Sequence, residues 1–477
     1  MSAGLEDTIV APATAVAPAG LAVVRLSGPE AIAVAARLFE GVNLQSVPSH
    51  TAHHGWVHDG RGERLDEVLV LVLRAPRSYT GEDTVEISCH GSPFGIEEIV
   101  AAAVTAGARV AEAGEFTRRA FLNGRIDLSQ AEAVADLIAA ESRAARRAAL
   151  EQLRGTLADR VQTVRAALVE LLGDIEASID FVEEDLEFFE RAAAVERAQA
   201  ANGVIEALLE TASDGMLLRS GVRVSLAGAP NVGKSSLFNR LLCEPRSIVT
   251  EYPGTTRDVV RETLRVGALA VALEDTAGLR ATTRDPIERI GIERSLRSHA
   301  EADVVLQVLD ATRPMQAGER AALEALDAEA ALVVLNKIDA LPESLRTASM
   351  LGGGAHELLL VLAAGRAPKT GATCVAVSAT TGANIEALID ALTRVGRLRR
   401  LSLQSDALVT INPRHRQALL RARIAVAEFT TAAATGAPPE LLAADLRAAV
   451  LALGEVSGEQ VTEEVLGSIF ARFCVGK

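Results

Sequence analysis

Alternation of apolar and polar residues marks several strands. Leu21-Ala-Val-Val-Arg25, Glu67-Val-Leu-Val-Leu-Val-Leu73 and Val222-Arg-Val-Ser-Leu-Ala227 read as half-buried strands. Ala331-Leu-Val-Val-Leu335 is apolar throughout, a strand buried on both faces. Shorter apolar runs at Leu269–Leu273 and Thr373–Val377 predict two more. From about Gly124 to Arg219 the period changes. Ala131, Val134, Leu137 and Ile138 fall at steps of three and four residues, and Leu150, Leu153 and Leu157 continue the stripe, predicting long helices. Helices return over Ala407–Thr431, Pro439–Leu453 and Thr462–Phe473.

These patterns divide the chain. Residues 1–123 mix short strands with Ala-rich helices, an α+β domain; 124–219 form a first helical half, 220–394 an α/β domain, and 395–477 a second helical half. A helical body on both sides of an α/β unit is most simply one domain carrying an insertion. Ser344–Thr370 resists reading: Gly352-Gly-Gly354 and His356-Glu-Leu-Leu-Leu360 suit a loop with a short helix or strand.

A length of 477 residues agrees with about three domains. The formal charge of −15 argues against non-specific nucleic-acid binding through a broad basic surface, and 3% aromatic residues leave few stacking platforms. Any RNA substrate is then expected to be held jointly with a partner. Four scattered cysteines with no C-x-x-C indicate neither a zinc site nor a disulfide framework, and with no secretory signal or membrane-spanning run the expected place is reducing cytosol, off the membrane. Asp174–Glu190 holds eight acids and no base, a solvated face or a docking site for a basic partner. His53, His54 and Trp56 show no metal-ligand spacing and read as structural.

The chemistry begins at Gly228-Ala-Pro-Asn-Val-Gly-Lys-Ser235, a G-x-x-x-x-G-K-S loop between a strand and the helix opening at Ser236. Its backbone N–H groups can surround phosphate oxygens: Asn231, Val232, Gly233, Lys234, Ser235 and Ser236 are the candidate contacts. Lys234 brings a point charge to the β and γ phosphates, and the Ser235 hydroxyl suits Mg²⁺. Asp275-Thr276-Ala-Gly278 ends the next strand. There the acid can hold Mg²⁺ through water and Gly278 can offer an N–H to the γ-phosphate. Asn336-Lys337-Ile-Asp339 supplies a two-oxygen acceptor for guanine's N1–H and exocyclic amine, a donor pair adenine lacks. Ser378-Ala379 offers a backbone N–H to the guanine carbonyl. Four such strings in order at strand ends make a crevice on a doubly wound sheet, and GTP the expected ligand. Ile248–Asp258 reads as a switch loop in which Thr250 and Thr256 contact the nucleotide, Thr256 also serving Mg²⁺. After the second string stands Leu279, where a water-orienting Gln is found in Ras-like enzymes. Either hydrolysis is very slow or another group positions the water.

The nucleotide strings resemble the TrmE–Era–EngA group of GTPases. Tyr79-Thr-Gly-Glu-Asp83, Ala120-Phe-Leu-Asn-Gly-Arg-Ile-Asp-Leu-Ser-Gln-Ala-Glu-Ala133 and the ending Cys474-Val-Gly-Lys477 narrow this to the tRNA-modifying GTPase family called MnmE or TrmE, over nearly the whole chain. The resemblance implies a folate-binding-like N-terminal domain, a helical domain and an inserted Ras-like P-loop GTPase domain. It implies a homodimer working with a flavoprotein of the MnmG or GidA family as a heterotetramer, FAD and NADH being the partner's. Together they add an aminomethyl or carboxymethylaminomethyl group at carbon-5 of a tRNA wobble uridine, with a tetrahydrofolate derivative supplying one carbon.

The family's folate contacts match Arg25, Glu86, Arg125 and Lys477. Its K⁺ site, which replaces an arginine finger when two GTPase domains pair, matches Asn231, Thr250, Tyr252 and Thr255. Its catalytic water-orienting glutamate matches Glu288, at a spacing from Asp275 one residue longer than the family's. Cys474 is either packing or part of the modification centre. The alternative class is a ribosome-assembly switch like Era or EngA; such chains carry a KH-type module or a second Walker string, and neither stands here.

Overall fold

A computed structural model describes residues 6–180, 190–220, 222–242, 261–266, 269–275, 302–327, 330–343, 373–395, 411–471 and 473–477. They divide into two compact units. One joins Met1–Ile138, Gln152–Ala207 and Arg414–Lys477; the other joins Ala139–Glu151 and Leu208–Pro413.

The first unit opens with β1 (Ile9–Pro12), β2 (Ala19–Ser27), α1 (Ala31–Leu38), β3 (Phe39–Glu40), β4 (Thr51–His58), β5 (Arg64–Leu73), β6 (Thr84–Gly91), α2 (Pro93–Thr105), β7 (Arg109–Val110) and α3 (Glu115–Leu122). Seven strands form one sheet in the order β3-β4-β5-β6-β2-β1-β7. Alternation decides its two faces. Val68, Val70 and Val72 of β5 and Val24 and Leu26 of β2 are buried with α1 and α2, while Glu67 and Leu69 stay exposed. Arg25 lies between Val24 and Leu26 and so faces the other side, directly across from Glu86 of β6. α2 starts where Ser92 accepts from Gly95 N–H and Pro93 takes the first helical position. His53, His54 and Trp56 lie in β4, the Arg64 guanidinium 4.8 Å from the Trp56 ring centre. Among the described residues, no group of three or more His, Cys, Asp or Glu could hold a metal ion.

The helical stretch is broken into α4 (Leu128–Ala139), α5 (Arg143–Leu153), α6 (Thr156–Asp180) and α7 (Arg191–Ser220). Two local signals make the breaks inside the apolar stripe. The Ser142 hydroxyl accepts from Ala145 N–H as a cap for α5, and Gly155 adopts φ +91 between α5 and α6.

The second unit's sheet comprises β8 (Val222–Ala227), β9 (Arg261–Val266), β10 (Leu269–Asp275), β11 (Val304–Asp310), β12 (Ala331–Asn336) and β13 (Thr373–Ala376). Its helices α8 (Lys234–Leu242), α9 (Ala317–Glu324) and α10 (Ile385–Thr393) follow β8, β11 and β13. Strand order is β13-β12-β11-β8-β10-β9; only β9 runs antiparallel to its neighbour. Every residue of β12 is buried, as its apolar run demands. Order reverses at β8, which lies between β11 and β10, so the crevice of the sheet opens at its carboxyl end.

The chain closes with α11 (Pro413–Ala434), α12 (Pro439–Ser457) and α13 (Glu463–Phe470), α12 packing along α6 in the first unit. α11 thus begins at Pro413; the expected start near Ala407 lies outside the described residues. A buried charge cluster ties α4 to α11. Glu132 Oε2 lies 2.7 Å from His415 Nε2, and its carboxylate accepts Arg414 Nε at 3.1 Å and Nη2 at 2.9 Å. Burial pushes the Glu132 carboxyl up, but His415 and then Arg414 outweigh it and hold the group down at about 2. Among the described residues, no helix is long and apolar enough to cross a membrane.

Candidate functional site

In the second unit the loop after β8 turns on two glycines. Gly228 has φ +147 and Gly233 φ +96; a Cβ on the first would strike Val308 O, and on the second Asn336 Nδ2. Only glycine lets this loop lie so close to its neighbours. Asn231, at φ +63, is exposed at the tip, and Ser235 and Ser236 are exposed in the first turn of α8. Lys234 Nζ donates to Gly228 O at 2.7 Å and Ala229 O at 2.9 Å, curling the ammonium over the loop. The N-terminal turn of α8 and this charge make the loop an anion cradle.

The base-end strings are cross-tied to that cradle. Asn336 Nδ2 donates to Val232 O at 2.9 Å, while its Oδ1 accepts the buried Ala379 N–H at 3.0 Å. The Ala379 N–H, expected to face a guanine carbonyl, is therefore engaged by Asn336. Lys337, at φ +69, donates to Asn231 O at 2.6 Å and to Asp310 Oδ2 at 2.7 Å. Burial raises the Asp310 carboxyl, but Lys337 and Thr312 more than offset it and hold it below its ordinary value. Asp339 Oδ1 accepts from Ser378 Oγ at 2.6 Å. Asp275 ends β10, its backbone paired in register with Leu226. The cradle and both base-end strings therefore stand together at the sheet's carboxyl edge. Thr250, Tyr252, Thr255, Thr256, Thr276, Gly278 and Glu288 lie outside the described residues. Asp310 and Arg240 carry no sequence motif, yet each holds a loop of this edge.

A second constellation lies in the first unit. Arg25 donates to Glu86 Oε1 from Nε at 2.9 Å and from Nη2 at 2.8 Å. The tail reaches this pair: Val475 bridges to Ala113, Gly114 N–H donates to Cys474 O at 3.4 Å, and Arg25 Nη1 donates to Gly476 O at 3.4 Å. Tyr79 is the common neighbour. Its ring centre is 5.3 Å from the Arg25 guanidinium carbon and 5.5 Å from Lys477 Nζ, and its hydroxyl is 2.8 Å from Thr117 Oγ1. Burial, then the Arg25 charge, push the Lys477 amine below the usual lysine range, against the pull of Glu86. Arg125 Nε donates to Ser78 O at 3.2 Å, bracing the loop that carries Tyr79. Arg25 and Lys477 thus converge on one aromatic ring, Glu86 pairs with Arg25, and Arg125 supports the backbone beside the ring. Cys474 is exposed, its carbonyl rather than its thiol making the tail contact. Tyr79 has no role in the sequence reading beyond its place in Tyr79-Thr-Gly-Glu-Asp83, the signal that pointed to it.

Comparison with known proteins adds the following. A family model described as "MnmE helical domain" matches residues 128–474, and one described as "GTP-binding protein TrmE N-terminus" matches residues 8–125. A protein of Symbiobacterium thermophilum, called tRNA modification GTPase MnmE, is 45% identical over 476 residues, covering 99% of this chain and 100% of its own. Proteins of the same name from Chloroflexus aurantiacus and Geobacter metallireducens are 44% and 42% identical, each match covering 99% of this chain and all of the relative.

Proposed function

Because the chain belongs to the MnmE family of tRNA modification GTPases, we propose that it hydrolyses GTP in order to drive modification of the tRNA wobble uridine. In this reading it acts as a cytoplasmic homodimer with an MnmG-type flavoprotein, which brings FAD and uses NADH. The pair adds an aminomethyl or carboxymethylaminomethyl group at uridine carbon-5. The observation that carries the nucleotide half is the cross-tied edge, where Asn336 and Lys337 lock the phosphate loop to the base-end strings.

The residues divide the work by chemistry. The loop N–H groups and Lys234 bind and orient the triphosphate, and Asp339 accepts from the guanine edge. Ser235 would hold Mg²⁺ with Thr256; its exposed hydroxyl in the first turn of α8 fits that task. Asn231 would hold K⁺ with Thr250, Tyr252 and Thr255, placing a positive charge where the bridging oxygen turns negative as two GTPase domains meet. Glu288 orients the attacking water. Closure of the GTPase domains is then coupled to the modification site.

The tail–sheet constellation fits a folate. Glu86 suits a pterin's amide–amidine edge, Arg25 and Lys477 suit carboxylates, Arg125 braces the loop beside them, and the Tyr79 ring offers a stacking face. A tetrahydrofolate derivative would supply the one-carbon unit when bound. Cys474, exposed on the tail, is the candidate thiol of the modification centre.

Nucleoside analysis of tRNA from cells lacking this chain tests the function: loss of the wobble modification is expected, and intact modification without a redundant gene overturns it. Exchanging Na⁺ for K⁺ should raise GTP turnover severalfold or more, and equal rates would remove the K⁺ role of Asn231.

A further inference from the structure

Arg240 stands in the last turn of α8, six residues beyond Lys234 and so about 9 Å along the helix axis from the phosphate loop. Its side chain crosses to the loop after β13. Nε donates to Ala379 O at 3.0 Å, and Nη2 donates to Thr380 O at 2.5 Å. One planar guanidinium thereby fixes the carbonyls of two successive residues, a fork a single ammonium cannot reproduce. Gly382, at φ +83, turns the same loop beneath it; a Cβ there would stand 3.6 Å from Arg240 Nη1. The rest of the loop is braced from within. Ser378 O accepts Gly382 N–H at 2.9 Å, and Ser378 Oγ accepts Thr381 N–H at 3.0 Å.

Ala379 is thus held from two directions: by Asn336 Oδ1 at its N–H and by Arg240 at its carbonyl. We propose that Arg240 is a specificity-determining positioning residue. From the phosphate-loop helix it sets the pose of the loop whose Ala379 N–H, held here by Asn336 Oδ1, would turn to the purine 6-oxygen when the nucleotide binds. The inference deepens the guanine-nucleotide reading above and rests on it. Asp339, which would read the 2-amino group, sits after β12 and is tied to Ser378 Oγ, outside the two carbonyls that Arg240 grips. Ser378 thus joins the two ends of the base edge, and the effect of Arg240 on each end is read as its own ratio.

The test uses the full chain and three diphosphates. IDP lacks only the 2-amino group, whereas 6-thio-GDP keeps both donors but replaces O6 with sulfur, a weak acceptor. Affinities come from displacement of a fluorescent GDP, and each readout is a ratio within one protein preparation. Arg240→Met, which keeps the stem and removes the donors, is expected to cut the GDP to 6-thio-GDP preference by about threefold or more. The GDP to IDP preference should stay within about twofold. Arg240→Lys, with one donor site in place of the fork, should fall between and keeps the comparison open if the methionine variant folds poorly. An unchanged 6-thio ratio overturns the proposal; so does a parallel fall in both ratios, which would make Arg240 a general brace. A native chain binding IDP as tightly as GDP would instead remove the guanine reading itself.

Discussion

Glu132 is one buried carboxylate that adds to the acid sensitivity of its unit. Its folded value of about 2 lies below the ordinary 4.5, so it binds its proton more readily once unfolded. The stabilisation is complete above pH 4.5 and fades as pH falls toward 2; the shift corresponds to about 3 kcal/mol. Glu132→Gln removes that charge and leaves Arg414 beside a neutral amide. The variant should lose roughly that amount at neutral pH and show a flatter stability curve between pH 4.5 and 2. Trp56, the chain's one tryptophan, lies in the same unit and reports urea unfolding by fluorescence. Parallel curves for native and variant would show that the cluster does not govern acid unfolding.

Elements were legible where the residue pattern had one physical cause. The apolar run Ala331-Leu-Val-Val-Leu335 proves buried throughout, with Asn336 closing the strand; the glycines of the phosphate loop stand where a Cβ would strike a neighbour. Less was legible where a local signal cut a continuous stripe. Leu150, Leu153 and Leu157 keep helical spacing across the turn at Gly155, so periodicity alone runs α5 into α6. The C-terminal tail is the element whose placement no local pattern reveals, because its partners are non-local. At Gly476, φ is +96, and a Cβ would run into Pro12 O. Gly476→Ala should therefore lift the tail from the sheet and move Lys477 away from Tyr79. Binding of a tetrahydrofolate, followed by titration calorimetry, is expected to weaken at least tenfold with GTP turnover unchanged. Undiminished folate binding would detach the tail from that site.

At the scale of the whole molecule, the strings at strand ends led to the crevice because a doubly wound sheet brings the carboxyl ends of its strands to one edge. The convergence on Tyr79 was not derivable in that way. Motif resemblance named Arg25, Glu86, Arg125 and Lys477, but only the fold shows an aromatic ring among them. Nor does composition hint that Arg240 joins the two ends of the nucleotide edge, since its partners are backbone carbonyls, which every residue carries.

The bond from Arg25 to Gly476 spans 451 residues of chain. During translation β2 and β6 can pair early, but their arginine and glutamate must wait for the tail to emerge. At 5–20 residues per second those 451 residues take about 23 to 90 seconds. A nascent chain thus has time to form its phosphate loop well before its tail–sheet pocket, and a ribosome stalled late would carry the former without the latter.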